Sequence, residues 1–127
     1  MVTGEKKMLR SEKLGEILRE LKKGGGIEAS AVVSRDGILM ASDIPDDVHG
    51  ETFAIMSATM LGAAITANSE LRKKLPDRII VESGDGRTIV AGAGEKSLIV
   101  VSTRGSSDMS SVFKTIATAA AKIEEID

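Results

Sequence analysis

Six consecutive residues, Gly92-Ala93-Gly94-Glu95-Lys96-Ser97, come nearest in this chain to a recognisable chemical motif. In a phosphate loop, glycines let backbone amides wrap the phosphate while a lysine reaches its outer oxygens. That arrangement needs glycine directly before the lysine and a helix directly after it. Here Glu95 stands before Lys96 and an apolar run follows Ser97, so the stretch predicts a hairpin turn. Gly84 and Gly86 likewise lack the following helix of a dinucleotide-binding turn. His49 is the only histidine, and there is no cysteine, so a histidine-rich metal site, a thiolate nucleophile and a disulfide all lack their parts. Asp43, Asp46 and Asp47 could meet a hard cation, but the glycine and distal glutamate of a calcium loop are missing, and loop solvation accounts for them better. Arg35, Arg87 and Arg104 fall at or beside predicted loops, where an arginine can contact a phosphate or simply face water. Arg72-Lys73-Lys74 would suit an acidic partner, or only the negative end of a helix dipole. No catalytic residue, cofactor or metal ligand is assigned, and the chain is expected not to be an enzyme.

The elements that carry these residues are legible from periodicity. Leu14, Ile17, Leu18 and Leu21 recur at helical spacing among charged residues and predict an amphipathic helix from Ser11 to Lys23, closed by Gly24-Gly25-Gly26. Residues 1–10 are expected to form a disordered tail, and 11–127 a single domain. IEASAVVS and GILMAS, parted by Arg35-Asp36-Gly37, predict a hairpin. A loop rich in aspartate follows, then a helix beginning near Val48 to Glu51 and running to about Lys74, before Pro76. DRIIVES, RTIVAGA and SLIVVST, joined by glycine-containing turns, predict an antiparallel meander. Val112, Ile116, Ala119, Ile123 and Ile126 mark one face of a last helix, with Asp108 or Ser110 as its cap. The strand runs are continuous rather than alternating, which predicts a sheet covered on both faces.

Composition narrows the partners. With 17 basic against 19 acidic residues there is no basic excess for gripping nucleic acid, and Phe53 and Phe113 are the only aromatic residues on which a base could stack. The charged amino terminus lacks the apolar stretch of a secretory signal, so a cytoplasmic location is expected.

The central helix is the unusual element, because no charged side chain occurs from Thr52 to Ser69. At about 100° per residue, Phe53, Met56, Met60, Ala64, Ala67 and Leu71 form one stripe, and Ala54, Ala58, Leu61 and Ile65 form another. Ile55, Thr59, Gly62 and Thr66 occupy the remaining arc. One sheet face covers only one stripe well, so a second packing partner is expected. A membrane span is the rival reading, since the stretch approaches the roughly 20 residues required, but Ser57, Thr59, Thr66, Asn68 and Ser69 make it too polar. Complete burial within the same domain is the other rival, and a domain this small has difficulty surrounding a helix.

This order of elements, with GIEASAVVSRDGILMAS at Gly26 to Ser42 and SLIVVST near the end, resembles the roadblock or dynein light chain family, over roughly Ser11 to Ile126. Prokaryotic members of that family resemble the Mgl-type regulators of Ras-like GTPases. The resemblance implies an α+β, profilin-like fold: a five-stranded antiparallel sheet in the order 2-1-5-4-3, the central helix on one face and the terminal helices on the other. It also implies a homodimer paired through the central helix and the third strand. On this sequence those contacts would be Ala54, Ala58, Leu61, Gly62 and Ile65 with Arg78, Ile79, Ile80, Val81 and Glu82, leaving Phe53, Met56 and Met60 for the sheet. The implied function is a non-enzymatic homodimeric regulator or scaffold for a small Ras-like GTPase. The alternatives are a structural adaptor in a larger complex, or a sensor that holds a small ligand between sheet and helix.

Overall fold

Why three strands should be apolar on both faces is answered by what flanks them. The computed structural model describes residues 2–127, with side chains from Leu9 onward. In chain order the elements are α1 (Val2–Lys22), β1 (Ile27–Ser34), β2 (Leu39–Asp43), α2 (Gly50–Glu70), β3 (Arg78–Ser83), β4 (Gly86–Ala93), β5 (Ser97–Arg104) and α3 (Met109–Ile126). The strands form one antiparallel sheet in the order β2-β1-β5-β4-β3. Alternate residues of the inner strands feed two separate cores. Val32, Ile89, Ile99 and Val101 pack with Leu14, Leu18 and Leu21 of α1 and with Val112, Ile116 and Ile123 of α3. Their neighbours Ala31, Val33, Val90, Leu98 and Val100 pack with Ala54 and Leu61 of α2. Each central strand is therefore apolar at successive positions because both of its faces are inside.

Local signals place the ends. The β1–β2 turn has Gly37 at φ 94, a backbone region that glycine enters without steric cost. Within the turn the Ser34 hydroxyl donates to Asp36 at 2.5 Å and accepts from the Ile38 amide at 2.9 Å. The first of these bonds, helped by the backbone, holds the Asp36 carboxyl below the usual carboxylate range. Asp108 caps α3 by accepting from the Ser110 amide, one of the four donors that a helix start leaves free.

Two boundaries differ from expectation. The first helix runs from Val2 to Lys22 rather than starting near Ser11, while Met1 lies outside the described residues. The central helix stops at Glu70 rather than near Lys74. There the amides of Arg72 and Lys73 turn back to the carbonyls of Ser69 and Asn68, at 3.0 and 2.9 Å. Arg72 takes φ 57 to allow it. This closure satisfies carbonyls that the helix end would otherwise leave free, and it redirects the chain toward β3 before Pro76 is reached.

One glycine is fixed by close approach. Gly86 pairs with Arg104, and a Cβ placed there would run into the Thr103 carbonyl. Gly86→Ala is expected to cost about 2 kcal/mol, because a backbone atom cannot rotate away as a side chain would. A thermal melt checks this against Gly84→Ala, where the added carbon meets nothing within 4 Å and the midpoint should hold.

Candidate interaction surface

A helix with one sheet-facing side should show it in its burial pattern. Of the 21 residues of α2, only Ala54, Ser57 and Leu61 are buried, although no charge interrupts the helix between Glu51 and Glu70. Ala54 and Leu61 are 0% and 2% exposed, with Ala58 and Ile65 half-buried against the same core. The small alanines let the helix lie close on the sheet. This corrects the expected faces: the Ala54, Ala58, Leu61, Ile65 stripe meets the protein's own sheet. Small residues favour close approach to any flat partner, so their presence alone does not say whether that partner is a sheet or another helix. Phe53 and Met60 pack at the flank of this core as expected for sheet contacts, whereas Met56 is 51% exposed.

The side of α2 turned to solvent carries Ile55, at 50% exposure, with Met56, Thr59, Gly62, Ala63 and Thr66. Gly62, one of the expected contacts, is in this outer set, and a Cβ added to it would meet nothing within 4 Å. Beside the helix, β3 forms one end of the sheet and pairs with β4 alone. Among the described residues its other edge has no hydrogen-bonded neighbour strand, the usual template for adding one. Arg78, Ile80, Val81 and Glu82 are exposed along it and Ile79 is half-buried toward α2. The pairing of β3 with β4 is regular from Arg78 to Ser83, with no bulge or proline to turn the edge away.

The residues singled out for chemistry are dispersed. Arg35 crosses Gly92 and donates to the Gly94 carbonyl at 2.7 Å, so it braces the β4–β5 turn. That turn runs from one strand into the next, with no helix following Ser97. Arg87 meets Glu82 at 3.4 Å and Arg104 meets Glu28 at 3.5 Å, both pairs near the surface. His49 occupies the cap position of α2 without a side-chain hydrogen bond there, and Asp43 meets Lys22 at 3.3 Å. Among the described residues no three His, Cys, Asp or Glu side chains gather for a metal ion. None of the described helices is long and apolar enough to cross a membrane. Grooves of about 660 and 680 Å³ run along the α1–α3 seam and beside the β1–β2 turn.

Long-range contacts also tie elements together in ways that spacing gives no sign of. The Asp127 carboxylate accepts from Arg10 at 2.6 Å and from the Ser97 hydroxyl at 2.7 Å, joining α1, α3 and β5. The Arg78 guanidinium lies 4.1 Å from the centre of the Phe113 ring, holding the start of the edge strand to α3.

An antiparallel sheet whose inner strands are covered on both faces, with an exposed edge strand beside an uncharged helix face, makes this an α+β fold. The chain belongs to the Roadblock/LC7 domain family, whose model matches residues 13–103. Two uncharacterised proteins of Methanocaldococcus jannaschii are 32% and 33% identical to it over 88 residues, covering 69% of this chain and 75% and 77% of theirs. Among solved structures it is similar to the gliding protein MglB of Thermus thermophilus, with a TM-score of 0.83 at 19% identity, covering 92% of this chain and 90% of that one. MglB of Myxococcus xanthus gives a TM-score of 0.85 at 15% identity, covering 91% and 88%. At those identities the likeness establishes the fold, with the sheet order and helix placement described above.

Proposed function

We propose that this protein is a non-enzymatic homodimeric regulator or scaffold for a small Ras-like GTPase, its two copies joined through the outer face of α2 and the free edge of β3. The observation that carries the dimer is the adjacency of an uncharged helix face and an unpaired, apolar strand edge. A two-fold axis beside β3 would let the two edges exchange backbone hydrogen bonds and extend one sheet across both copies. The same axis brings the helix faces together, where Gly62 and Ala63 permit close approach and Ile55 and Met56 supply apolar area. The proposed contacts are thus Gly62 and the Arg78 to Glu82 strand, with Ile55, Met56, Thr59, Ala63 and Thr66 in place of the sheet-facing stripe.

Support for the GTPase comes from membership of the Roadblock/LC7 family and from the resemblance to Mgl-type regulators. The dispersal of the titratable residues fits a protein that acts by binding. Capture of a small Ras-like GTPase from the same genome, loaded with GDP or with a non-hydrolysable GTP analogue, tests this reading. Binding is expected to depend on the nucleotide. Equal binding in both states would favour the structural adaptor instead, and no binding in either would remove the GTPase from the proposal.

A further inference from the structure

The end of α2 presents a second feature that the proposed dimer does not use. Leu71 and Leu75 are 66% and 69% exposed, and between them stand Arg72, Lys73 and Lys74. Among the described residues none of these three cations has an ion-pair partner. Glu70 and Asp77 bracket the segment from outside. The helix closure described above holds it in place, and the Asn68 side-chain amide donates to the Lys74 carbonyl at 3.2 Å. The result is an exposed, hydrogen-bonded segment with apolar ends and a cationic centre.

We propose that this tip docks the protein onto an anionic lipid surface, the two leucines entering the headgroup boundary while Arg72, Lys73 and Lys74 lie against the phosphates. The combination of protruding apolar side chains with adjacent cations matches a layer that is acidic outside and apolar beneath. A folded acidic protein would need to offer recesses for both leucines, whereas lipid moulds around a projection. The grooves along the α1–α3 seam and beside the β1–β2 turn are lined by none of residues 71–75. Arg72 adds a second argument. It occupies a left-handed backbone position at φ 57 where glycine is normally favoured, so its side chain is kept against a local conformational cost. The contact is peripheral and does not require the dimer.

Sedimentation of the full chain with vesicles tests the proposal. Wild type is expected to co-sediment with phosphatidylcholine vesicles containing phosphatidylglycerol, to ignore phosphatidylcholine alone, and to release as salt is raised. Lys73→Ala with Lys74→Ala should weaken binding about five-fold per cation removed. Leu71→Ser with Leu75→Ser should weaken it at unchanged charge. Arg72→Gly should bind about five-fold more weakly yet melt at a higher temperature, a split that a purely structural arginine would not give. The proposal is overturned if wild type ignores the anionic vesicles at low salt, as it would were the tip reserved for an acidic protein. It is equally overturned if binding survives both double substitutions, or if the leucine substitutions dissociate a dimer in light scattering, since the tip would then belong to that interface.

Discussion

Ala63→Glu is expected to yield a folded monomer. Ala63 is exposed on the outer face of α2, and the fold places no part of its own core against it. In an isologous dimer each copy would bring one new carboxylate into a contact with no facing cation, and the two carboxylates would approach each other across the axis. Leaving a charge buried without a partner costs about 3–5 kcal/mol, which corresponds to a loss of affinity of two orders of magnitude or more. Light scattering reads the change in mass. Circular dichroism and the thermal midpoint of the monomer should show the helix intact, since glutamate is a good helix former. A variant that keeps the mass of a dimeric wild type would place the interface on another face, and a monomeric wild type would remove the dimer altogether.

Leu61→Glu should behave in the opposite way and strongly destabilise the domain at neutral pH. Leu61 is 2% exposed and packs among Ala54, Val33, Val90, Leu98 and Val100. The substitution removes a buried apolar side chain and inserts a carboxylate without a hydrogen-bonding partner, at about 4 kcal/mol or more. Domains of ordinary stability have about 5–15 kcal/mol in total. The sign of the pH dependence follows from burial. An introduced carboxyl would have its folded-state pKa raised above the unfolded value of about 4.3, so the full penalty applies above the raised value and fades as pH falls toward the unfolded one. A denaturant titration of Leu61→Glu at neutral and at mildly acidic pH should therefore show recovery on acidification. A neutral-pH stability equal to wild type would mean that the side chain is not enclosed by the sheet. Together the two substitutions separate the outer and inner sides of one helix, two residues apart in sequence.

Much of this architecture is readable from residue types. The spacing of Leu14, Leu18 and Leu21, the continuous runs at Ile89 to Ala91 and Leu98 to Val101, and the turns at Gly37 and Gly94 locate elements with little help from elsewhere. Each is a local rule: periodicity reports which side of an element is buried, and glycine reports where the backbone turns. The early end of α2 was less visible. Periodicity continues through Leu71, and the left-handed turn is made by Arg72 where a glycine would have announced it. The tie from Asp127 to Arg10 and Ser97 had no local sign at all, because its members are far apart in the chain.

Residue types and spacing alone indicate an α+β arrangement of sheet and helices, a central helix free of charge from Thr52 to Ser69, and no complete catalytic motif. Which side of that helix is spare follows only from how it packs. Two apolar stripes on one helix are equivalent under a count of angles. Only the position of the sheet breaks that equivalence, by drawing Ala54 and Leu61 inward and leaving Ile55, Met56 and Ala63 outside. It also decided that the spare face stands beside the unpaired strand, since strand order is set by pairings between distant segments that no local pattern encodes.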